Sequence, residues 1–285
     1  MAVTNFIQTI WSKKIQDDLE LKCKLVDNCL REYEGDCKFA RSVKILGVGE
    51  PTISAYSSAT PLTYEAMSDK SQTLTIDQQY AFSFLVDDIN QAQSVPGLAE
   101  KYQEKAVHGL AVKRDAYVAS LIKGITTTAN ITTAANLTRA DVKEAIDKAI
   151  VALRERNFDE EGVIEITPAV YNLFKNELIT LSTDNPEYIK KGIVGMYDDF
   201  KVIMSNGLAK DTTGSAKYAY CDVRGKKAIA FAGQINEVEA GRHQSYFADY
   251  VRGLDTFGAK VIDESRIQVV KIPLVYTAPT TGGGS

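Results

Sequence analysis

The stretch QTLTIDQQYAFSFLVDDINQ, residues 72–91, alternates apolar and polar side chains with a period of two. Its apolar face consists of Leu74, Ile76, Tyr80, Phe82, Phe84 and Val86. Alternation of this kind predicts a β-strand with one face exposed to water. A typical strand has about 5–6 residues, whereas this run of about 14 residues would span roughly 45 Å. The stretch therefore predicts an arm longer than a compact domain of this size needs.

The residues before this stretch predict a partner strand and a long loop. Phe39, Val43 and Ile45 alternate with polar neighbours, and segment 47–71 is rich in Gly, Pro, Ser and Thr. Residues 36–86 are thus expected to form a two-stranded ribbon with a large tip. Such a ribbon is only marginally stable alone in water, so its apolar face must cover its own body or a neighbouring molecule. A neighbouring molecule would mean that the protein works as part of an assembly.

Two long amphipathic helices are predicted in the first half of the chain. Residues 4–34 place apolar side chains near three- and four-residue spacing, from Phe6 and Ile10 to Leu30, with Trp11 near the apolar side. Residues 97–125 predict a second helix, some 40 Å long, with Arg114 off its apolar line. That line is Leu98, Tyr102, Ala106, Leu110, Tyr117 and Leu121.

The second half of the chain predicts a compact α/β region. Thr138 and Asp141 fit a capping box at the start of a helix, and Thr167-Pro168 starts another helix. The first of these helices has an apolar stripe of Val142, Ala145, Ile146, Ala149, Ile150 and Leu153. Strands are expected at 163–167, 200–205, 218–223, 228–233, 259–262 and 267–272.

Composition limits the classes of function. The 285 residues carry a net charge of -4, which provides no basic field for nucleic acid or acidic lipid. No apolar run approaches the roughly 20 residues of a membrane helix, and the first residues do not resemble a signal peptide. A cytoplasmic product is therefore expected, with no membrane partner.

The sequence shows no recognisable active site. The cysteines follow C-x5-C-x7-C at 23–37, with Cys221 far away, so free and partly buried thiols are favoured over zinc ligands. His108 and His243 lie near no nucleophile motif, and Asp198-Asp199 suits a turn better than a metal site. No cofactor, metal or catalytic residue is predicted. An α/β enzyme whose site the sequence hides remains the alternative.

Eight segments in order resemble the major capsid proteins of tailed bacteriophages, in the coat-protein-like branch. They are NFIQTIWSKKIQDDLE (5–20), REYEG (31–35), VKILGVGEPTISAY (43–56), LTYE (62–65), QTLTIDQQYAFSFLVDDIN (72–90), IVGMYDDFKVIMSNGLA (193–209), KAIAFAGQINEVEAGR (227–242) and VRGLDTFGAKVIDESRI (251–267). Together they span nearly the whole chain, from residue 5 to residue 267. Each motif is weak by itself, but chance does not readily produce the ordered set.

This resemblance implies the α+β fold known as the Hong Kong 97-type capsid fold. It implies an N-terminal helical arm, an extended β-ribbon loop, a peripheral domain with a long spine helix and an α/β axial domain. The expected divisions are 1–34 for the arm, 35–90 for the extended loop, 91–130 for the peripheral domain, 131–240 for the axial domain, 241–277 for the return strands of the peripheral domain and 278–285 for a flexible tail.

The resemblance also implies a role and partners. The chain would assemble into hexamers and pentamers of an icosahedral head shell, make weak non-specific contact with packaged double-stranded DNA, and sit in the virion after synthesis in the bacterial host. A portal is an expected partner. The arm-like sequence starts within a few residues of Met1, so we expect a separate scaffolding protein, or none, and maturation without cleavage. An encapsulin-like nanocompartment shell is the alternative with the same fold.

The family's assembly mode implies that the apolar face of the ribbon lies on a neighbouring subunit. The residues expected at the subunit interface are Phe6, Ile10, Trp11, Pro51, Ile53, Tyr56, Leu62, Tyr64, Leu74, Ile76, Tyr80 and Phe82. Lys70 is a lysine near the loop tip, but no local motif assigns it to a covalent cross-link.

Overall fold

The computed structural model describes residues 23–34, 41–48, 53, 69–87, 98–181, 195–213 and 217–275. Within these residues the α-helices are α1 (Leu98–Gly124), α2 (Arg139–Arg154) and α3 (Pro168–Leu181). The strands are β1 (Ser42–Val48), β2 (Asp69–Thr75), β3 (Gln78–Asp87), β4 (Ile131–Thr133), β5 (Gly162–Ile166), β6 (Met196–Tyr197), β7 (Phe200–Met204), β8 (Tyr218–Gly225), β9 (Ile229–Arg242), β10 (Ala248–Val261) and β11 (Ile267–Pro273).

The strands form three sheets, and the prediction of one continuous strand over 74–86 is wrong. The run breaks at Ile76 and Asp77. Before the break, β2 pairs with β1 in a two-stranded antiparallel sheet. After it, β3 pairs with β10, which lies more than 150 residues further along the chain. The alternation continues across the break because both halves have one covered face, although different surfaces cover them.

The second sheet has the order β3-β10-β9, and α1 packs across one of its faces. The bounds of α1 confirm the predicted helix, but its buried side is rotated from the predicted line. Val107, Val118 and Ile122 are fully buried, whereas Tyr102 is exposed. Arg114, which the periodicity places off the apolar line, is buried as well. The helix therefore buries a charge that periodicity alone places at the surface.

The third sheet has the order β4-β11-β8-β5-β7-β6, with α2 and α3 on one face. The predicted capping box is confirmed: the Asp141 N–H donates to Thr138 Oγ1 at 3.1 Å. All six members of the predicted α2 stripe are buried. The other face of this sheet packs towards α1 through Tyr220, Ile267 and Val269.

The pairing divides the chain differently from the predicted boundaries. Residues 78–87 belong to the sheet of β9 and β10, not to the two-stranded ribbon. Residues 229–240, expected with the axial region, are in that same sheet, whereas β11, expected with the return strands, pairs with β4 and β8. Strands β9 and β10 pair directly in antiparallel register on both sides of the predicted boundary at 240.

The N-terminal helix predicted over 4–34 is wrong for its last part, and residues 1–22 lie outside the described residues. Residues 26–28 and 32–34 form short 3-10 turns. Between them Leu30 makes a parallel bridge to Ala230 at the edge of β9. Leu25 and Val26 are buried against α1. Apart from the local hydrogen bonds of its 3-10 turns, this segment is held by tertiary contacts.

Gly258 of β10 allows the backbone at Thr75 and Ile76, where β2 ends, to pass directly over β10. A Cβ at this position would lie 2.1 Å from the Thr75 carbonyl oxygen and 2.9 Å from Ile76 Cα, and both of these are backbone atoms. Two side chains tie the same crossing together: Gln72 Nε2 donates to the Ile262 carbonyl at 2.8 Å, and Lys260 Nζ donates to the Thr73 carbonyl at 3.0 Å.

We expect Gly258→Ala to lower the free energy of unfolding by about 1–3 kcal/mol, because the extra methyl overpacks against backbone that cannot yield cheaply. Gly109→Ala is the matched control, since a Cβ there meets open space within α1 and should stabilise the protein by about 0.5–1 kcal/mol. Denaturant unfolding monitored by circular dichroism measures both. A Gly258→Ala protein as stable as the wild type would contradict the crossing geometry.

Candidate functional site

The ribbon residues expected at the subunit interface differ in how deeply the protomer buries them. Leu74 is fully buried and Ile76 is only 6% exposed, in a cluster with Ile45, Ala230 and Ala232 of the same protomer. Their side chains leave almost no surface for a neighbour, so the expectation that they cover another copy is corrected. The apolar face of β2 packs against the edge strand β9. No local pattern in the sequence predicts this contact.

Tyr80 and Phe82 are half-buried on their own body. The Tyr80 ring stacks on Phe257 at a centroid distance of 5.7 Å. Phe82 lies over Gly253 of β10, where a Cβ would clash with its ring. Both side chains keep part of their surface exposed, and their contact with a neighbouring subunit stays a prediction.

Ile53 is 96% exposed. An aliphatic side chain this open costs free energy in water until something covers it. The other expected interface residues lie outside the described residues, and their role stays a prediction: Phe6, Ile10, Trp11, Pro51, Tyr56, Leu62 and Tyr64.

The end of the hairpin between β9 and β10 carries exposed aromatic side chains that sequence reasoning missed. Tyr246 and Phe247 are 68% and 81% exposed in the tip loop, residues 243–247. His243 orders this loop, because its Nδ1 accepts the N–H groups of Ser245 and Tyr246 at 3.1 and 3.2 Å. The signal in the sequence is a pair of adjacent aromatic residues, Tyr246 and Phe247, directly after the polar residues 243–245.

A groove of about 670 Å³ lies next to the tip loop. Leu85 and Tyr250 contribute apolar surface, and Arg252, another lining residue, forms an ion pair with Glu239. Further members of its lining are Ser83, Phe84, Arg242, His243, Gln244 and Ser245. An aromatic protrusion and an amphipathic groove at one end of one sheet suit contact between protein surfaces.

Arg114 and Asp255 form a buried ion pair between α1 and β10. Arg114 Nε donates to Asp255 Oδ2 at 2.9 Å, and the Asp255 side chain has no exposed surface. Asp255 lies on the same face of β10 as Val251 and Phe257, which pack in the core with α1, so alternation along the strand directs its carboxylate towards the helix. The register of β10 against β9 shifts beside it, between Leu254 and Asp255. The guanidinium also lies 5.6 Å from the Phe231 ring centre.

Asp115, the next residue on α1, binds the N-terminal segment at residues 24–26. Its carboxylate accepts the backbone N–H groups of Lys24, Leu25 and Val26 at 3.0–3.3 Å. Burial raises the pKa of Asp115, and these three donors oppose the shift because they stabilise the charged form. The segment therefore has a polar anchor on α1 in addition to its apolar contacts.

A second buried ionic group lies on the face of the six-stranded sheet that is opposite α2. Glu165, Asp222 and Arg224 have no exposed side-chain surface. Arg224 donates to Glu165 Oε1 at 2.9 Å and to the carbonyls of Asn28 and Leu25 at 2.6 and 3.0 Å. This group therefore binds the N-terminal segment to the sheet.

The titratable groups of the described residues show no catalytic arrangement. Burial raises the pKa of Cys23 and of Cys221 to about 12 and that of Cys29 to about 11, so these thiols are poor nucleophiles at neutral pH. Their burial confirms the predicted packing role. Asp198 and Asp199 form the predicted turn, with positive φ at both, and face Arg154. Across the described ranges no cluster of three metal-ligating side chains is present.

No helix in the described part of the chain is both long enough and apolar enough to cross a membrane. No protein-family model and no curated protein sequence matches the chain.

Solved structures do match. A chain of Mycobacterium phage Che8 superposes with a TM-score of 0.71 at 25% identity, covering 87% of this chain and 90% of that one. The capsid structure of cyanophage P-SCSP1u gives 0.66 at 17% identity, covering 84% of each chain. A virus-like particle from Pyrococcus furiosus gives 0.55 at 12% identity, covering 93% of this chain and 99% of that one. The predicted fold class is thereby confirmed: the chain has an α+β, capsid-like fold of the Hong Kong 97 type.

We expect Arg114→Met to lower the free energy of unfolding by about 3–5 kcal/mol, because it leaves the Asp255 carboxylate buried without its cation. Arg252→Met removes an exposed arginine from the pair with Glu239 and should cost less than about 1 kcal/mol. Urea unfolding of both variants makes the comparison. Equal costs would show that Arg114 is not the anchor between α1 and β10.

Proposed function

We propose that this chain is the major capsid protein of a tailed double-stranded DNA bacteriophage and assembles into its icosahedral head shell. The observation that carries the proposal is the match of fold, over more than four fifths of the chain, to phage structures that include a phage capsid. Each match covers most of this chain and most of the phage chain. It therefore supports a role for the whole chain and not for one shared domain.

The exposed surfaces fit a subunit that binds copies of itself. The aromatic tip loop and the groove beside it lie at one end of the long sheet, and Ile53, which lies between β1 and β2 in the sequence, is exposed. Apolar groups at such exposures are stabilised when another surface covers them. In the proposed assembly α1 and the sheet of β3, β10 and β9 form the peripheral domain, and the six-stranded sheet with α2 and α3 forms the axial domain.

The proposed role is structural and not enzymatic. The described residues provide high-pKa thiols, a turn-forming acid pair and fully buried ionic groups, all of which suit packing. No cofactor enters the proposal. The buried charges do what a shell subunit needs, since they hold the segments of the protomer in one arrangement.

The proposed partners are other copies of the chain, arranged as hexamers and pentamers, with a portal and a separate scaffolding protein during assembly. Contact with packaged DNA would be weak and non-specific, because the net charge of -4 repels phosphate. The mature location would be the virion, after synthesis in the cytoplasm of the bacterial host.

The alternative shell function is a cellular nanocompartment. The virus-like particle from Pyrococcus furiosus supports it, since that chain is matched along 99% of its length. The higher TM-score and identity of the Che8 phage chain favour the phage capsid. The material enclosed by the native shell, DNA or protein, distinguishes the two functions.

Electron microscopy of the purified protein, expressed alone or with candidate scaffolding proteins, tests the proposal. We expect closed shells of uniform diameter, because the exposed apolar surfaces become covered only in a closed assembly. A protein that stays a monomer or dimer in every combination would contradict the shell function.

We expect the double variant Tyr246→Ser, Phe247→Ser to reduce shell formation strongly and leave protomer stability within about 0.5 kcal/mol of the wild type, since both side chains are exposed. Phe247→Tyr keeps the aromatic surface and serves as the control that should assemble. Sedimentation measures assembly, and circular dichroism measures folding. Normal shells from the double variant would exclude the tip loop from the subunit contacts.

A further inference from the structure

Two buried carboxyl groups face each other in the six-stranded sheet. Glu165 of β5 and Asp222 of β8 are direct partners in the antiparallel register, so their side chains share one face. Arg224 follows two residues later on the same face. These three residues form the carboxyl cluster. With both acids ionised it would hold one uncompensated negative charge in a site without exposed side-chain surface.

The hydrogen-bond donors of the carboxyl cluster are distributed unequally. Glu165 receives Arg224 Nη2 at 2.9 Å, Arg224 Nε at 3.4 Å and Asn28 Nδ2 at 3.2 Å. Asp222 receives no hydrogen bond at either oxygen. Arg224 Nε is 3.1 Å from Asp222 Oδ2, but its single N–H is directed at Glu165. An ionised carboxylate without donors is strongly disfavoured in such a site.

The elements packed on the carboxyl cluster bring one more acid and no further close cation among the described contacts. From α1, Asp115 adds negative charge, although its oxygens are occupied by the N–H groups of residues 24–26. From the N-terminal segment come the Cys29 thiol and the Asn28 amide. Arg114 of α1 is committed to Asp255. The surroundings therefore favour one proton on the acid that lacks donors.

We infer that Asp222 is held as the protonated acid, donates its O–H to Glu165, and thereby acts as a proton latch for residues 24–30, the docked segment. With that proton in place, Glu165 and Arg224 form a neutral pair. Arg224 can then direct its remaining N–H groups to the carbonyls of Leu25 and Asn28. When the proton passes to solvent, two adjacent carboxylates repel, and the site needs water. The docked segment covers the site, so it must open to admit that water.

The electrostatics of the pair agree with this geometry. Burial raises the pKa of Asp222 well above its ordinary value, the Glu165 charge raises it further, and Arg224 opposes both. Burial also raises the pKa of Glu165, but Arg224 and Asn28 stabilise its ionised form. The unfolded chain releases the proton near 3.8, so the stability from this proton is complete below that pH. It is lost as the pH rises through the raised pKa of Asp222.

Hydrogen–deuterium exchange between about pH 6 and about pH 10 tests the latch on the full chain. After correction for intrinsic exchange, we expect opening of the docked segment to increase at least about tenfold relative to α2. Asp222→Asn keeps the shape and a donor towards Glu165 but has no proton to lose, so its increase should stay below about twofold. Asp159→Asn, at an exposed position, is the matched control and should behave as the wild type.

Infrared spectroscopy of the wild type provides a second measurement that needs no variant to fold. A protonated carboxylic acid C=O band should persist above the ordinary carboxyl range and disappear at the pH where the docked segment opens. A band lost near 3.8, or an undiminished pH dependence in Asp222→Asn, would overturn the latch. The latch is independent of the proposed function, because both measurements work on protomers that form no shell.

Discussion

Two adjacent buried charges on α1 are the constraint on which the rest of the structure depends. Arg114 reaches Asp255 of β10, and Asp115 accepts the backbone N–H groups of residues 24–26. Charges removed from water are tolerated only with partners in good geometry, so each pair fixes where its elements meet. Neighbouring residues on a helix point in different directions, and α1 therefore holds the long sheet on one side and the N-terminal segment on another.

The second ionic group extends this connection to the six-stranded sheet. Arg224 donates hydrogen bonds to two carbonyls of the N-terminal segment and also to the Glu165 carboxylate. The long sheet, α1, the segment and the six-stranded sheet thus form one series of obligatory contacts. Buried ion pairs add little net stability compared with apolar packing, but breaking one is expensive. They specify an arrangement more than they strengthen it, which suits a subunit whose copies must meet at defined angles.

The outer surfaces complement this fixed interior. The aromatic tip loop lies at the free end of the hairpin of β9 and β10, far from the crossing at Gly258. Strand β10 connects the tip loop to Asp255, and the ion pair with Arg114 connects Asp255 to α1. A protomer built in this way can present contact surfaces without depending on the contacts for its own fold. The capsid-like fold and the proposed role agree on this point.

Local patterns by themselves determined α1, the capping box at Thr138 and the α2 stripe, because helical periodicity and caps are encoded within a few residues. Alternation along 72–91 also identified correctly which side chains of the ribbon are covered. Only the tertiary structure decided what covers them: Leu74 and Ile76 lie on β9 residues of the same protomer, and β3 pairs with β10. Likewise, Arg114, Asp222 and Arg224 are charged and look like surface residues in the sequence. Their burial depends on partners from 2 to 199 positions away in the chain. Periodicity indicates that a face is covered, but it does not indicate which residues cover it.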